Sequence, residues 1–204
     1  MNRQDHWEQV YETRKPAEVS WFQARATESM LLLEKSGITR DQAIIDVGGG
    51  ASVLVDDLLT AGFNDISVLD ISGAALAASR QRLGDVAGKV NWIHADLLCV
   101  NLEPERFDLW HDRAVFHFLT SEKDQADYFN LLIKSIRPHG QVIIATFAED
   151  GPARCSGLDV QRYSTGELQI KWQDKLKLIE SKAATHTTPV GREQKFNYCR
   201  FMKI

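Results

Sequence analysis

The feature that most constrains this chain is the passage from Ala43-Ile44-Ile45-Asp46-Val47 into Gly48-Gly49-Gly50. A short, unbroken apolar run suits a strand buried on both faces, the usual condition in a parallel sheet. Beyond the glycines, Val53, Leu54, Leu58 and Leu59 recur on one helical face, and Gly62 is placed to end that helix. The alternation then repeats, with strands at residues 66–69, 90–93, 107–110 and 142–147, and helices opening at Ser72 and at a capping-box pattern Ser121 to Asp124. Parallel βα units follow from this order. A second capping box, Ser164 to Glu167, opens a short helix, after which residues 176–183 and 196–203 read as two strands with no helix between them. The sheet is therefore expected to finish with an antiparallel pair.

A length of 204 residues suits one domain, read as a helical lead-in or lid over residues 1–40 and an α/β core over 41–204. With 25% charged and 44% hydrophobic residues, the balance is that of a globular protein rather than a disordered one. The net charge of −4 and the lack of a Lys/Arg stripe argue against a nucleic-acid partner. No apolar run approaches the roughly 18 residues of a membrane span, and the acid-bearing N-terminal stretch lacks a signal core, so a cytoplasmic location is expected. Cys99, Cys155 and Cys199 are scattered and read as reduced thiols, and no cluster has metal-ligand spacing.

Three acids fall at strand ends, Asp46, Asp70 and Asp96, where an open parallel sheet receives its ligands. Gly48 and Gly50 allow close backbone approach, and Asp70 follows Gly50 at the roughly 20-residue spacing at which an acid meets ribose hydroxyls. A dinucleotide fingerprint would need a third glycine where Val53 stands, which disfavours a nicotinamide-dependent oxidoreductase without removing that alternative.

The arrangement Asp46-x-Gly48-x-Gly50, the Asp70 acid, Ala95-Asp96-Leu97 and the closing strand pair together resemble the class I S-adenosylmethionine-dependent methyltransferases over nearly the whole chain. Ser52 stands where many members carry glycine, a variant similar to the loop of a subgroup that includes protein-lysine methyltransferases. The pattern from His6-Trp7-Glu8 to Trp21-Phe22 resembles the lead-in of small bacterial members. The resemblance implies a Rossmann-like, doubly wound sheet of seven strands, order 3-2-1-4-5-7-6, with strand 7 antiparallel. It implies S-adenosylmethionine as cofactor, S-adenosylhomocysteine as product, and direct methyl displacement toward a small-molecule or protein acceptor. Cofactor contacts are then expected at Asp46, Gly48, Gly49, Gly50, Asp70, Ile71, Asp96 and Leu97. Asp70 would take the ribose hydroxyls and Asp96 the adenine amino group. A non-catalytic cofactor-binding protein on this fold remains an alternative.

Near the fourth strand, His111, Asp112 and His117 are the candidates for a proton acceptor. Trp21, Arg162 and His186 are candidates for contact with the acceptor by their places in the lead-in, the loop after strand five and the link between the last strands. Trp21 and Phe22 form an aromatic pair beyond the Pro16 break, suited to a lid.

Overall fold

The computed structural model describes residues 2–204. Its strands are β1 (Ile44–Val47), β2 (Ile66–Asp70), β3 (Val90–His94), β4 (Phe107–Arg113), β5 (Ile136–Phe147), β6 (Leu176–Thr187) and β7 (Glu193–Lys203). They form one seven-stranded sheet, order β3-β2-β1-β4-β5-β7-β6. The pairings among β1 to β5 are parallel, and β7 runs antiparallel to both β5 and β6. The order reverses at β1, whose four residues are all buried, so the ends of β1 and β4 open a crevice at the switch point.

Helices are α1 (Arg3–Thr13), α2 (Thr27–Lys35), α3 (Leu54–Thr60), α4 (Gly73–Leu83), α5 (Glu122–Ser135) and α6 (Thr165–Trp172). One face of the sheet, carrying Trp110 and Ile144, packs on Tyr128 and Leu132 of α5 and Trp172 of α6. The other, carrying Ile44, Val68 and Leu109, packs on Leu32 and Leu33 of α2, Leu54 and Leu58 of α3 and Leu76 of α4. Side chains alternate along a strand. Leu109 and His111 of β4 therefore face α2, whereas Trp110 and Asp112 face α5.

Several details depart from the sequence reading: β5 begins at Ile136 rather than 142, β6 runs to Thr187 rather than 183, and β7 begins at Glu193 rather than 196. β4 continues past Trp110 to Arg113, because its parallel pairing with β5 holds as far as Arg113 opposite Ala145. The Ser121 cap is formed, its Oγ accepting from Asp124 N, but the Asp124 carboxylate does not return to the cap. It pairs instead with Arg3 of α1. The Ser164–Glu167 capping box is complete. The loop after β5 contains a short hairpin, Arg154–Cys155 against Leu158–Asp159.

The N-terminal segment lies across the strand ends and is fastened to several elements. Glu8 accepts from Ser72 Oγ at 2.7 Å and from Ala74 N at 3.1 Å, at the start of α4. Arg113 Nη1 donates to the Trp21 carbonyl at 3.2 Å, and His186 Nε2 donates to the Ser20 carbonyl at 2.8 Å. Asp57 of α3 accepts from Ala26 N at 2.8 Å.

Candidate active site

Two adjoining cavities open at the carboxyl ends of the central strands. The first is floored by Gly48, Asp70 and Ile71 and walled by Asp96 and Leu97. Trp7, Tyr11 and Trp21 cover it from the N-terminal segment, and Val115 and Phe118 close it from the turn after β4. The second lies behind the glycine turn, between Asp46, Ser52 and His111 on one side and Val19, Trp21 and Phe22 on the other. Trp21 and Arg113 border both.

The glycines place the turn. Gly48 has φ +66°, and a Cβ there would lie 2.0 Å from Val115 Cγ2, so both conformation and space demand glycine. Gly49 and Gly50 also serve the turn's own packing. A Cβ on Gly49 would sit 2.2 Å from Asp46 Oδ2, and one on Gly50 2.5 Å from Asp70 Oδ2. They let the turn settle onto two carboxylates.

Asp70 is almost wholly buried. Its Oδ2 accepts from Gly50 N at 2.9 Å and its Oδ1 from Ser72 N at 2.8 Å. Burial pushes its pKa up to about 6, against the pull of those two amides. A carboxylate offers about four lone pairs, so each oxygen keeps capacity for one further donor on the cavity side. That is what a pair of ribose hydroxyls requires. Asp96 accepts from Leu98 N at 2.9 Å and borders the same cavity. The acids and the tight turn thus fit an adenosine-bearing ligand.

Of the three residues expected as proton acceptors, two lie off both cavities and the third has both ring nitrogens engaged. Asp112 is fully buried on the α5 face. Its Oδ1 accepts from Val115 N at 2.9 Å, and its Oδ2 from Phe116 N at 3.0 Å and Tyr128 OH at 2.7 Å. It ties down the turn after β4 and borders neither cavity. His117 is also fully buried, between the rings of Phe118 and Phe147, and its Nδ1 accepts from Phe147 N at 3.3 Å. Burial pushes its pKa down to about 3, keeping it neutral. His111 does border the second cavity, but both ring nitrogens are occupied. Its Nδ1 donates to Asp46 Oδ1 at 2.7 Å and its Nε2 lies 2.8 Å from Ser29 Oγ.

Of the expected acceptor contacts, only Trp21 borders a cavity. Arg162 is exposed and donates to the Gly151 carbonyl at 3.3 Å. His186 is spent on the Ser20 carbonyl, so it fastens the lead-in. Trp7 and Tyr11 of the lead-in and Arg113 of β4, none of them singled out as ligand contacts, also border the first cavity. For Arg113 a signal existed: a basic residue at the end of Phe107-Asp108-Leu109-Trp110-His111-Asp112, a strand otherwise bound for the interior. Among the described residues, no group of three or more His, Cys, Asp or Glu is placed to hold a metal ion, and no helix is long and apolar enough to cross a membrane.

The role found for Asp112 is testable. Asp112→Ala should strip the acceptor from the buried Phe116 amide, the half-buried Val115 amide and the Tyr128 hydroxyl proton, whose oxygen still accepts from Trp110 Nε1, and lower stability by about 3 kcal/mol. A fall in the urea midpoint measures this, and an unaltered midpoint would contradict it.

The family model described as a methyltransferase domain matches residues 44–140, from the start of β1 into β5. EEF1A lysine methyltransferase 2 of Danio rerio is 26% identical over 133 residues, a match taking in 62% of this chain and 57% of that protein, so the chain spans little more than half of that relative's length. Among solved structures, a SAM-dependent methyltransferase from Anabaena variabilis superposes with a TM-score of 0.77 at 14% identity, covering 100% of this chain and 96% of that one. The 1,6-didemethyltoxoflavin-N1-methyltransferase of Burkholderia thailandensis, solved with S-adenosylhomocysteine, gives 0.73 at 16% identity over 98% and 86% of the two chains. At such identities these structures establish likeness of fold.

Proposed function

We propose that the chain, whose matched domain and sheet are those of the class I S-adenosylmethionine-dependent methyltransferases, belongs to that family and moves a methyl group from S-adenosylmethionine to a small-molecule or protein acceptor. The observation that carries this reading is Asp70, buried at the end of β2, bound to the glycine turn through Gly50 N and still able to accept two donors on the cavity side. In this reading Asp70 holds the ribose hydroxyls, Asp96 meets the adenine amino group, and Ile71 and Leu97 sandwich the base.

When bound, S-adenosylmethionine supplies an activated methyl on sulfur that an in-line nucleophile can displace. The chain's own contribution is alignment and exclusion of water. Trp7, Trp21 and Phe118, whose rings meet edge to face at 5.6 and 5.0 Å, form an apolar wall opposite the glycine turn. Their faces suit an amine or its ammonium form, and a lysine acceptor agrees with the name of the Danio rerio relative. With Asp112 and His117 off the cavities and His111 occupied, the reading needs no strong base: a neutral amine attacks as it stands and sheds its proton afterwards.

Calorimetry against S-adenosylhomocysteine, S-adenosylmethionine and NAD should show heat for the first two only. Saturation with S-adenosylhomocysteine should also change tryptophan fluorescence and slow proteolysis within residues 1–25. Methyl-labelled cofactor, added to a lysate separated into protein and small-molecule fractions, then identifies the acceptor. Absence of binding by both S-adenosyl compounds would end this reading.

A further inference from the structure

Arg113, at the end of β4, is a cation without a counter-ion. Its Nε donates to Tyr198 OH at 2.9 Å and its Nη1 to the Trp21 carbonyl at 3.2 Å, while Nη2 is buried with no partner. The guanidinium carbon lies 4.7 Å from the centre of the Phe196 ring. Among the described residues no carboxylate forms an ion pair with it. Asp46 shares the second cavity but is committed to His111 through Oδ1 and does not reach it. The titratable groups that feel the charge of Arg113 are His117, His186 and Cys155, and burial keeps all three neutral by lowering the histidine pKa values and raising that of the thiol. A guanidinium cannot shed its proton to escape burial. Left unpaired, it is destabilising until an anion arrives from outside.

The position of the guanidinium says from which side. The sheet runs β1-β4-β5-β7, so Tyr198 and Phe196 of β7 draw the Arg113 side chain across β5 and away from β1. Asp70 and Asp96 lie on the opposite side of β1, at the ends of β2 and β3. The anion that Arg113 lacks therefore belongs to the half of the crevice from which an acceptor meets the methyl group. Trp21 borders that half, and its carbonyl, held by Arg113, fixes the guanidinium beside the wall of Trp7, Trp21 and Phe118. Such a wall receives a flat ring well, by edge or by face.

We propose that the acceptor is a small, flat ring carrying an anionic oxygen, a carboxylate or ionised hydroxyl, with Arg113 Nη2 taking that oxygen while Trp21 and Phe118 hold the ring. The inference rests on the methyl-transfer reading above and narrows its acceptor. A lysine side chain would bring a second cation to a guanidinium that already lacks an anion, so the charge that favours an acid works against a protein amine.

The test is calorimetry on the intact protein saturated with S-adenosylhomocysteine. Salicylate, 4-hydroxybenzoate, anthranilate and nicotinate are each titrated beside the matching uncharged amide, with Nα-acetyl-lysine amide as the cationic comparison. At least one acid should bind saturably and roughly 10- to 100-fold more tightly than its amide, the span of one charge-assisted contact. Arg113→Gln should erase that preference and Arg113→Lys should keep part of it; a folded Arg113→Gln protein that retains it overturns the proposal. So does the absence of any acid-over-amide preference, or tighter binding of the lysine derivative, and neither comparison needs a variant to fold. The titration is then repeated with 5′-methylthioadenosine, which has no carboxylate, in place of S-adenosylhomocysteine. Equal affinity for the acid in both backgrounds supports the proposal, whereas an acid that binds only beside 5′-methylthioadenosine shows the cofactor's own carboxylate on Arg113 and overturns it. If no adenosine compound binds, the methyl-transfer reading fails, and acid against amide on the protein alone then decides the site.

Discussion

Gly48→Ala is expected to abolish the rise in melting temperature that S-adenosylhomocysteine produces in the wild type. Gly48 sits at φ +66° with Val115 Cγ2 2.0 Å from where a Cβ would stand. The left-handed backbone alone costs an L-residue about 1–2 kcal/mol. The overlap with Val115 must then be relieved by moving either the glycine turn or the turn after β4, both of which wall the first cavity. Because Gly48 N donates to the Leu69 carbonyl at 2.7 Å, displacing the turn also disturbs the end of β2, where Asp70 stands. Adding Val115→Ala should recover part of the lost stability by making room, while the backbone cost stays. A normal ligand shift in folded Gly48→Ala would show that the turn is not where the cofactor lies.

The second large effect is expected at Asp70. Asp70→Asn should weaken S-adenosylhomocysteine binding by about 1.5–3 kcal/mol, the worth of hydrogen bonds to a charged acceptor. The same residue sets a pH dependence. Its carboxyl is pushed from an ordinary 3.8 up to about 6 in the free protein. Hydroxyl donors favour the ionised form, so binding should strengthen as pH rises through about 6 and release a proton in that range. Stability of the free protein moves the opposite way: the contribution of this raised pKa is fully present below 3.8 and lost as pH rises through about 6. Calorimetry between pH 5 and 7.5 reads both the slope and the proton released. An Asp70→Asn protein that keeps the slope would transfer it to another group.

Much of this molecule was legible before its structure. The β1 run, the glycine turn, Asp70 and the closing strand pair are local patterns whose physics acts over a few residues, and each stands where periodicity and turn chemistry put it. What chain position left undetermined clusters at β4. Chain position places His111, Asp112 and Arg113 together near a strand end, but which of them turns toward the ligand depends on strand register and on partners distant in sequence. Asp112 is claimed by Tyr128, and His111 by Asp46 and Ser29. That Trp7 and Tyr11 cover a cavity was not legible, because an amphipathic helix shows an apolar face whether it covers a core or a cavity.

The fastenings of the N-terminal segment have a consequence for the order in which the chain is assembled. The residues that roof the first cavity stand early among the described residues, yet their partners come much later in the chain. Glu8 waits for Ser72, 64 residues on, Arg3 for Asp124, 121 residues on, and Ser20 for His186, 166 residues on. Contacts of such separation close long loops and form late. The βα core can therefore condense with its binding face open, and the roof is secured only when β6 has been made. In this fold the roof precedes the core in the chain and is secured after it.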